Sequence, residues 1–211
     1  NLAHSLKTPL AAMRALLNDR REDQFGDRFN EQIDRMDEIV RYQLRKPAAS
    51  VADNLVLAPV PVEKEVTRLI DGLRKVYHDK APDFEVRIEK GMQFRGDTGD
   101  FLELAGNLLD NACKWCQRKV RISVVPSAGA RAIASGMVLT VSDDGPGIPE
   151  DAANALLQRG MRLDESTPGH GIGLAVVKDI AHSYGGRLSI GRSDLGGAEI
   201  MVSIPPVSRN A

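Results

Sequence analysis

Aromatic residues make up only 4% of the 211-residue chain. That is too few to line a groove for single strands by base stacking. Charge of one sign is not in excess either. The chain has 28 Lys and Arg against 29 Asp and Glu, a formal net charge of −1, so it lacks the basic footprint of a general nucleic-acid binder. There is no apolar run of about 18 residues, and so no stretch that reads as a membrane-spanning helix. Cysteine is nearly missing. Cys113 and Cys116 stand three apart in an apolar helical pattern. As Cys-x-x-Cys they suit redox or metal chemistry, but no second Cys or His pair completes a zinc site; the other reading is two small core residues in a reducing compartment. No Gly-x4-Gly-Lys-Ser/Thr occurs, and Leu174 stands where a dinucleotide fingerprint needs glycine or alanine. There is no internal repeat. The 42% hydrophobic content still permits a sizeable core.

What the chain does have is two glycine-rich segments, Asp143-Asp144-Gly145-Pro146-Gly147-Ile148-Pro149 and Gly169-His170-Gly171-Ile172-Gly173-Leu174. The first follows the apolar run Met137–Val141, which reads as a strand. The second opens a helix whose Leu174, Val177, Ala181 and Tyr184 recur at three and four, ended by Gly185-Gly186. Glycines let a backbone approach a ligand closely, and a helix N-terminus aims free N–H groups at it. A strand ending in Asp beside a glycine-opened helix is therefore a candidate nucleotide site; two ordinary turns would carry the same letters.

Residues 1 to about 22 read as a helix, with Leu6, Leu10, Met13 and Leu17 on one stripe. The turn signal 23–27 follows, then a helix with Phe29, Ile33, Met36, Val40 and Leu44 on one stripe. Such a hairpin has one apolar seam, and pairing with a second copy into a four-helix bundle is its natural remedy. His4 points away from the seam, Thr8 lies one turn on along the same face, and Pro9 frees the Ser5 carbonyl and bends the helix. Pro47, Ala48-Ala49-Ser50, Pro59 and Pro61 mark a boundary. A helix from about Pro61 to Tyr77 and a strand over 84–88 follow.

The helix expected from Gly99 to Gln117 carries an apolar face of Phe101, Leu104, Ala105, Leu108, Ala112 and Cys116. Its other face holds Glu103, Asn107, Asn111 and Lys114 as one polar stripe. Water would be served as well by Lys or Glu, and asparagine is a mediocre helix former. Amide oxygens are hard ligands suited to Mg²⁺, and Lys114 is placed to reach phosphate. Trp115 beside the stripe suits either an adenine ring or the core. Strands are expected over 120–125, 137–141, 187–190 and 198–204, with residues 150–168 as a lid segment. Strands and helices do not alternate as βαβ units, so a mixed sheet covered on one face by helices is expected.

Four boxes stand in one order. His4-Ser5-Leu6-Lys7-Thr8-Pro9-Leu10 resembles the phosphoacceptor box of sensor histidine kinases. Asn107-Leu108-Leu109-Asp110-Asn111-Ala112-Cys113-Lys114-Trp115 resembles their asparagine box, and the two glycine segments resemble their glycine boxes. The wording, with Arg159-Gly160 before the second glycine box, is most similar to PhoQ-type members of the family.

The resemblance implies an α+β architecture. A dimeric antiparallel helical hairpin, residues 1–48, carries the histidine; a linker, 49–60, leads to an ATP-binding α/β sandwich, 61–211, of the gyrase, MutL and heat-shock chaperone type. By match to family positions, Asn107 and Asn111 hold Mg²⁺ and phosphates, Lys114 meets phosphate, and Asp143 accepts from the adenine amino group. Gly145 and Gly147 shape the adenine pocket. Gly169, Gly171, Gly173 and Leu174 belong to the lid, and Arg159 and Arg162 compensate γ-phosphate charge. His4 is the implied phosphoacceptor. Thr8 orients the water that dephosphorylates a response-regulator receiver domain. The chain is then the cytoplasmic portion of a bacterial inner-membrane sensor acting as a homodimer. Ser5 departs from the acidic residue common after the histidine, which implies a slower kinase step, since a free imidazole is already mostly neutral at pH 7. A nucleotide-gated scaffold or phosphatase is the alternative. A serine kinase of the anti-sigma type shares the ATP fold, but His4 with Thr8 and Pro9 argues against it.

Overall fold

The computed structural model describes residues 58–127, 136–149 and 173–206, together with Met36 and Ala153. The chain divides into two compact units, and all of these residues except Met36 belong to the unit formed by Ala48–Asp164 and Gly173–Ala211. The expected helical hairpin, the linker residues before Ala58 and most of the lid segment lie outside the described residues.

The described elements are β1 (Val60–Pro61), α1 (Val62–Val76), β2 (Asp83–Ile88), β3 (Gln93–Phe94), α2 (Thr98–Trp115), β4 (Lys119–Pro126), β5 (Met137–Asp143), α3 (Gly173–Ser183), β6 (Arg187–Arg192) and β7 (Ala198–Ile204). Five strands form one mixed sheet in the order β2-β4-β5-β7-β6. The β2–β4 pair is parallel and the other three pairs are antiparallel. Val60, expected as the last linker residue, pairs with Phe94 in a second, two-stranded sheet.

Alternation decides which face of the sheet is buried. Val120, Ile122 and Val124 of β4, Leu139 and Val141 of β5, and Ile200 and Val202 of β7 point to one side and are buried. Arg121, Ser123, Val138, Thr140 and Met201 alternate with them and are half-buried. The helices supply the rest of the core: Val62, Val66 and Ile70 from α1, Phe101, Leu104, Ala105, Leu108 and Ala112 from α2, Val177, Ile180 and Ala181 from α3. The covering of the sheet on one face follows from these two periodicities.

Each helix is sited by its ends. Acidic Glu63 and Glu65 open α1 and basic Arg74 and Lys75 close it, matching the macrodipole. Asp97 caps α2, its Oδ1 accepting from the amides of Gly99 at 2.8 Å and Asp100 at 3.1 Å. Just past α3, the Tyr184 hydroxyl donates to Asp100 Oδ2 at 2.7 Å and accepts from the Asp97 amide at 3.0 Å. Its ring packs edge-on against Phe94, which also meets Phe101. One side chain thus ties the end of α3 to the start of α2.

Tyr184→Phe keeps the ring contacts and deletes both hydrogen bonds. We expect a stability loss of about 1.5–3 kcal/mol, the range for a hydrogen bond made to a charged group, read as a lower urea midpoint at unchanged slope. An unchanged midpoint would show that the hydroxyl contributes nothing to the junction.

Candidate functional site

The central strand β5 ends at Asp143, with Val120 of β4 opposite it on one side. On the other side, β5 pairs with β7 as far as Ser142–Glu199, which brings the chain before β7 alongside Asp143. Asp143 is 3% exposed. Its Oδ1 accepts from the backbone amides of Gly145 at 2.8 Å and Ala198 at 3.2 Å. The Gly197 amide donates to its main-chain carbonyl at 3.0 Å. Burial pushes this carboxyl above the usual carboxylate range; the two amides offset part of that, and neighbouring Asp144 adds to it.

The packing around the carboxylate leaves no room for side chains. A Cβ on Gly197 would run into Asp143 Oδ1, and one on Gly145 would run into the Trp115 carbonyl. The loop around Asp143 therefore lies directly on the end of α2. Gly147, at φ +81°, completes the turn in a conformation that other residues seldom adopt.

Asp144 points the other way. Its Oδ1 accepts from the amides of Gln117 at 2.8 Å and Arg118 at 3.0 Å, the second and third residues beyond α2. Burial acts to raise this carboxyl, and the amides of Arg118, Lys119 and Gln117 outweigh it and hold it below the usual range. Two adjacent aspartates are thus driven in opposite directions.

On α2, Asn107 and Asn111 are half-buried and Lys114 is exposed. The Asn107 side-chain amide donates to the Glu103 carbonyl at 2.7 Å. Its oxygen faces Gly173, the first residue of α3, where a Cβ would lie 2.7 Å from it. Glycine is what allows α3 to begin against the asparagine stripe. Lys114 Nζ sits 5.6 Å from the centroid of the Trp115 ring, a cation–π contact. Trp115 is 41% exposed, which removes it from the core. Leu174 is buried.

Asn107 is thus brought to Gly173, Asp143 to Gly145, and Lys114 to Trp115. His4, Ser5, Thr8, Arg159, Arg162, Gly169 and Gly171 lie outside the described residues. Cys113 on α2 and Cys116 just past its end are buried free thiols. Burial pushes Cys113 up to about 12 and raises Cys116 as well, which suits core packing over reactivity. Three contributors escaped the sequence reading. Gly197 was legible only as a glycine pair before a strand, Ala198 only as the first residue of that strand, and Lys80, described below, carried no signal.

Residues 96–208, more than half of the chain, match the family described as histidine kinase-, DNA gyrase B- and HSP90-like ATPases. The chain is 40% identical to the sensor protein kinase CarS of Pseudomonas aeruginosa, across 97% of this chain and 45% of that protein. It is 36% identical to the sensor protein PhoQ of Escherichia coli, across 96% of this chain and 41% of that protein. It therefore spans less than half the length of either relative. Among solved structures, a mycobacterial sensor histidine kinase, MprB, is similar over 71% of this chain and 97% of its own, with TM-score 0.56 at 28% identity. The Acinetobacter baumannii histidine kinase AdeS shares the fold, with TM-score 0.67 at 18% identity, across 96% of this chain and 98% of its own.

Two expectations follow from the geometry. Gly197→Ala forces either the loop or the carboxylate to shift and should lower stability by about 1–3 kcal/mol, the scale of overpacking; urea denaturation measures it, and no loss would mean the loop yields freely. Asp144, held low, stabilises the fold fully above about pH 4 and loses that contribution as pH falls through its depressed value, whereas protonation of the raised Asp143 relieves a penalty. Asp144→Asn should therefore flatten the decline of stability on acidification. An acid limb identical to the parent's would place the protonation elsewhere.

Proposed function

This chain belongs to the histidine kinase-, DNA gyrase B- and HSP90-like ATPases, and from that premise we propose that it is the kinase core of a two-component sensor. In this reading ATP lies between α2 and the two glycine segments, and the γ-phosphoryl group passes first to His4 and then to an aspartate of a response-regulator receiver domain. The observation that carries it is the buried Asp143 carboxylate. With Oδ1 held by two amides, the group is oriented, and Oδ2 is the atom to accept from an adenine amino group. The names of CarS, PhoQ and MprB support the same assignment.

The asparagine stripe supports a metal-assisted phosphate site. Hard amide oxygens fit Mg²⁺, with phosphate oxygens supplying further ligands. Asn107 and Asn111 would hold the ion, which supplies charge neutralisation at the phosphates. Lys114, released from the Trp115 ring, would add a second positive charge. Gly173 leaves the N-terminus of α3 open toward the same phosphates. Arg159 and Arg162 are assigned to γ-phosphate charge, and Gly169 and Gly171 to the closing segment.

The acceptor in this reading is His4 with its imidazole in the neutral form, the form that most of a free imidazole takes at pH 7. Its ring nitrogen forms a bond to phosphorus as the bond to the ADP oxygen breaks, and the ring N–H proton leaves to solvent, because Ser5 cannot take it. Positioning and charge stabilisation supply most of the rate in such transfers. Thr8 orients water for the reverse regulation, dephosphorylation of the regulator. Residues 1–48 form the dimeric hairpin, 49–60 the linker and 61–211 the ATP-binding domain, all as the cytoplasmic part of a membrane sensor. Among the described residues no helix is long and apolar enough to cross a membrane.

Incubation with γ-labelled ATP and Mg²⁺ tests the proposal. Label should appear on His4, be lost in acid and survive alkali, and His4→Gln should abolish it while ATP binding persists. Asn111→Ala should lower labelling by at least about ten-fold, the lower end for disturbing a metal site. Acid-stable label would indicate a serine or threonine kinase. Nucleotide binding without label would favour the scaffold or phosphatase.

A further inference from the structure

Helix α2 ends where the proposed site needs it most accurate. Lys114 and Trp115 are its last two residues, and Asn111 is one turn earlier. The final carbonyls of a helix have no partner within it, and a helix end without one frays. Here they are met by a side chain from the turn before β2. Lys80 Nζ donates to the Cys113 and Lys114 carbonyls, both at 2.9 Å. A cation there also complements the negative end of the helix dipole.

The other side of the same helix end is held by a negative charge. Asp144 accepts from Gln117 and Arg118, fixing the direction in which the chain leaves α2. Asp144 immediately follows Asp143, and Gly145 lies against the Trp115 carbonyl. The position of α2's last turn relative to Asp143 is therefore set by a charged group on each side, and neither group belongs to the asparagine stripe.

We propose that Lys80 and Asp144 form a two-sided clamp on the end of α2, acting as positioning residues that set the distance between the adenine-recognising carboxylate and the phosphate-facing stripe. Its effect on nucleotide rests on the ATP reading above; its effect on Trp115 does not. Releasing either side leaves Asp143 hydrogen-bonded to the amides of Gly145 and Ala198; the charges of Lys80 and Asp144 also act on its carboxyl, the first lowering and the second raising it, and the conservative Lys80→Arg keeps that charge. The last turn of α2, with Lys114 and Trp115, is what moves. Lys80 and Asp144 act through that turn and need no contact with nucleotide.

The test uses Lys80→Ala, Asp144→Ala, Lys80→Arg and Asp144→Asn in the full 211-residue chain, with folding checked by circular dichroism. Arginine keeps donors for the two carbonyls, and asparagine keeps an acceptor for the two amides. Without ligand, both alanine variants should shift the emission of Trp115, the only tryptophan, and both conservative variants should restore it. In calorimetry with ADP and Mg²⁺, the alanine variants should bind roughly ten-fold more weakly, as when a residue behind a ligand is removed, and the conservative variants within about three-fold of the parent. Parent-like emission in both alanine variants overturns the clamp. So does a loss of binding that the conservative variants fail to recover. If the parent itself does not bind ADP with Mg²⁺, the ATP reading fails, and the emission comparison still decides the clamp.

Discussion

A carboxylate at the end of the central strand is the constraint around which this domain is arranged. Asp143 is withdrawn from water, and an ionised group in that position needs donors in place of the water it has lost. The amides of Gly145 and Ala198 supply them. To come so close, the chain must lack side chains at 145 and 197. That requirement draws the β6–β7 turn onto the end of β5 and presses the first glycine loop onto the last turn of α2. The same group, oriented and only partly compensated, is suited to recognising a donor on a ligand.

Helix α2 carries the other half of the arrangement. Its apolar face is committed to the core, and Asn107 of its polar stripe meets Gly173 at the start of α3. Four residues outside α2 hold its two ends: Asp97 and Tyr184 at the start, Lys80 and Asp144 at the finish. A helix fixed at both ends transmits little slack to the side chains it bears. Where chemistry depends on position and charge more than on covalent participation by the protein, that rigidity is the useful property.

The comparison of Asp143 with Asp144 shows how local environment separates like residues. They are adjacent, chemically identical and both hydrogen-bonded to amides. Deeper burial raises one, while amides at the end of α2 outweigh burial and lower the other. No property of the dipeptide distinguishes them.

Much of the fold was readable from the chain alone. Alternation along 120–125 and 137–141, and the three-and-four spacing from Phe101 to Ala112, assign strand and helix because each residue's burial follows its own period. The pairing of Asn107 with Asn111, and the glycines at 145, 147 and 173, stood out because they are poor choices for solvent-facing structure and good ones for close approach. Other features came only from the fold. Gly197 meets Asp143 across 53 intervening positions, Lys80 reaches carbonyls more than thirty residues away, and Trp115, the last residue of α2, is exposed. Local sequence determines which way a side chain faces within its own element, since that depends on backbone geometry. Which distant backbone atoms it meets depends on how the elements pack, and that is decided only by the tertiary structure.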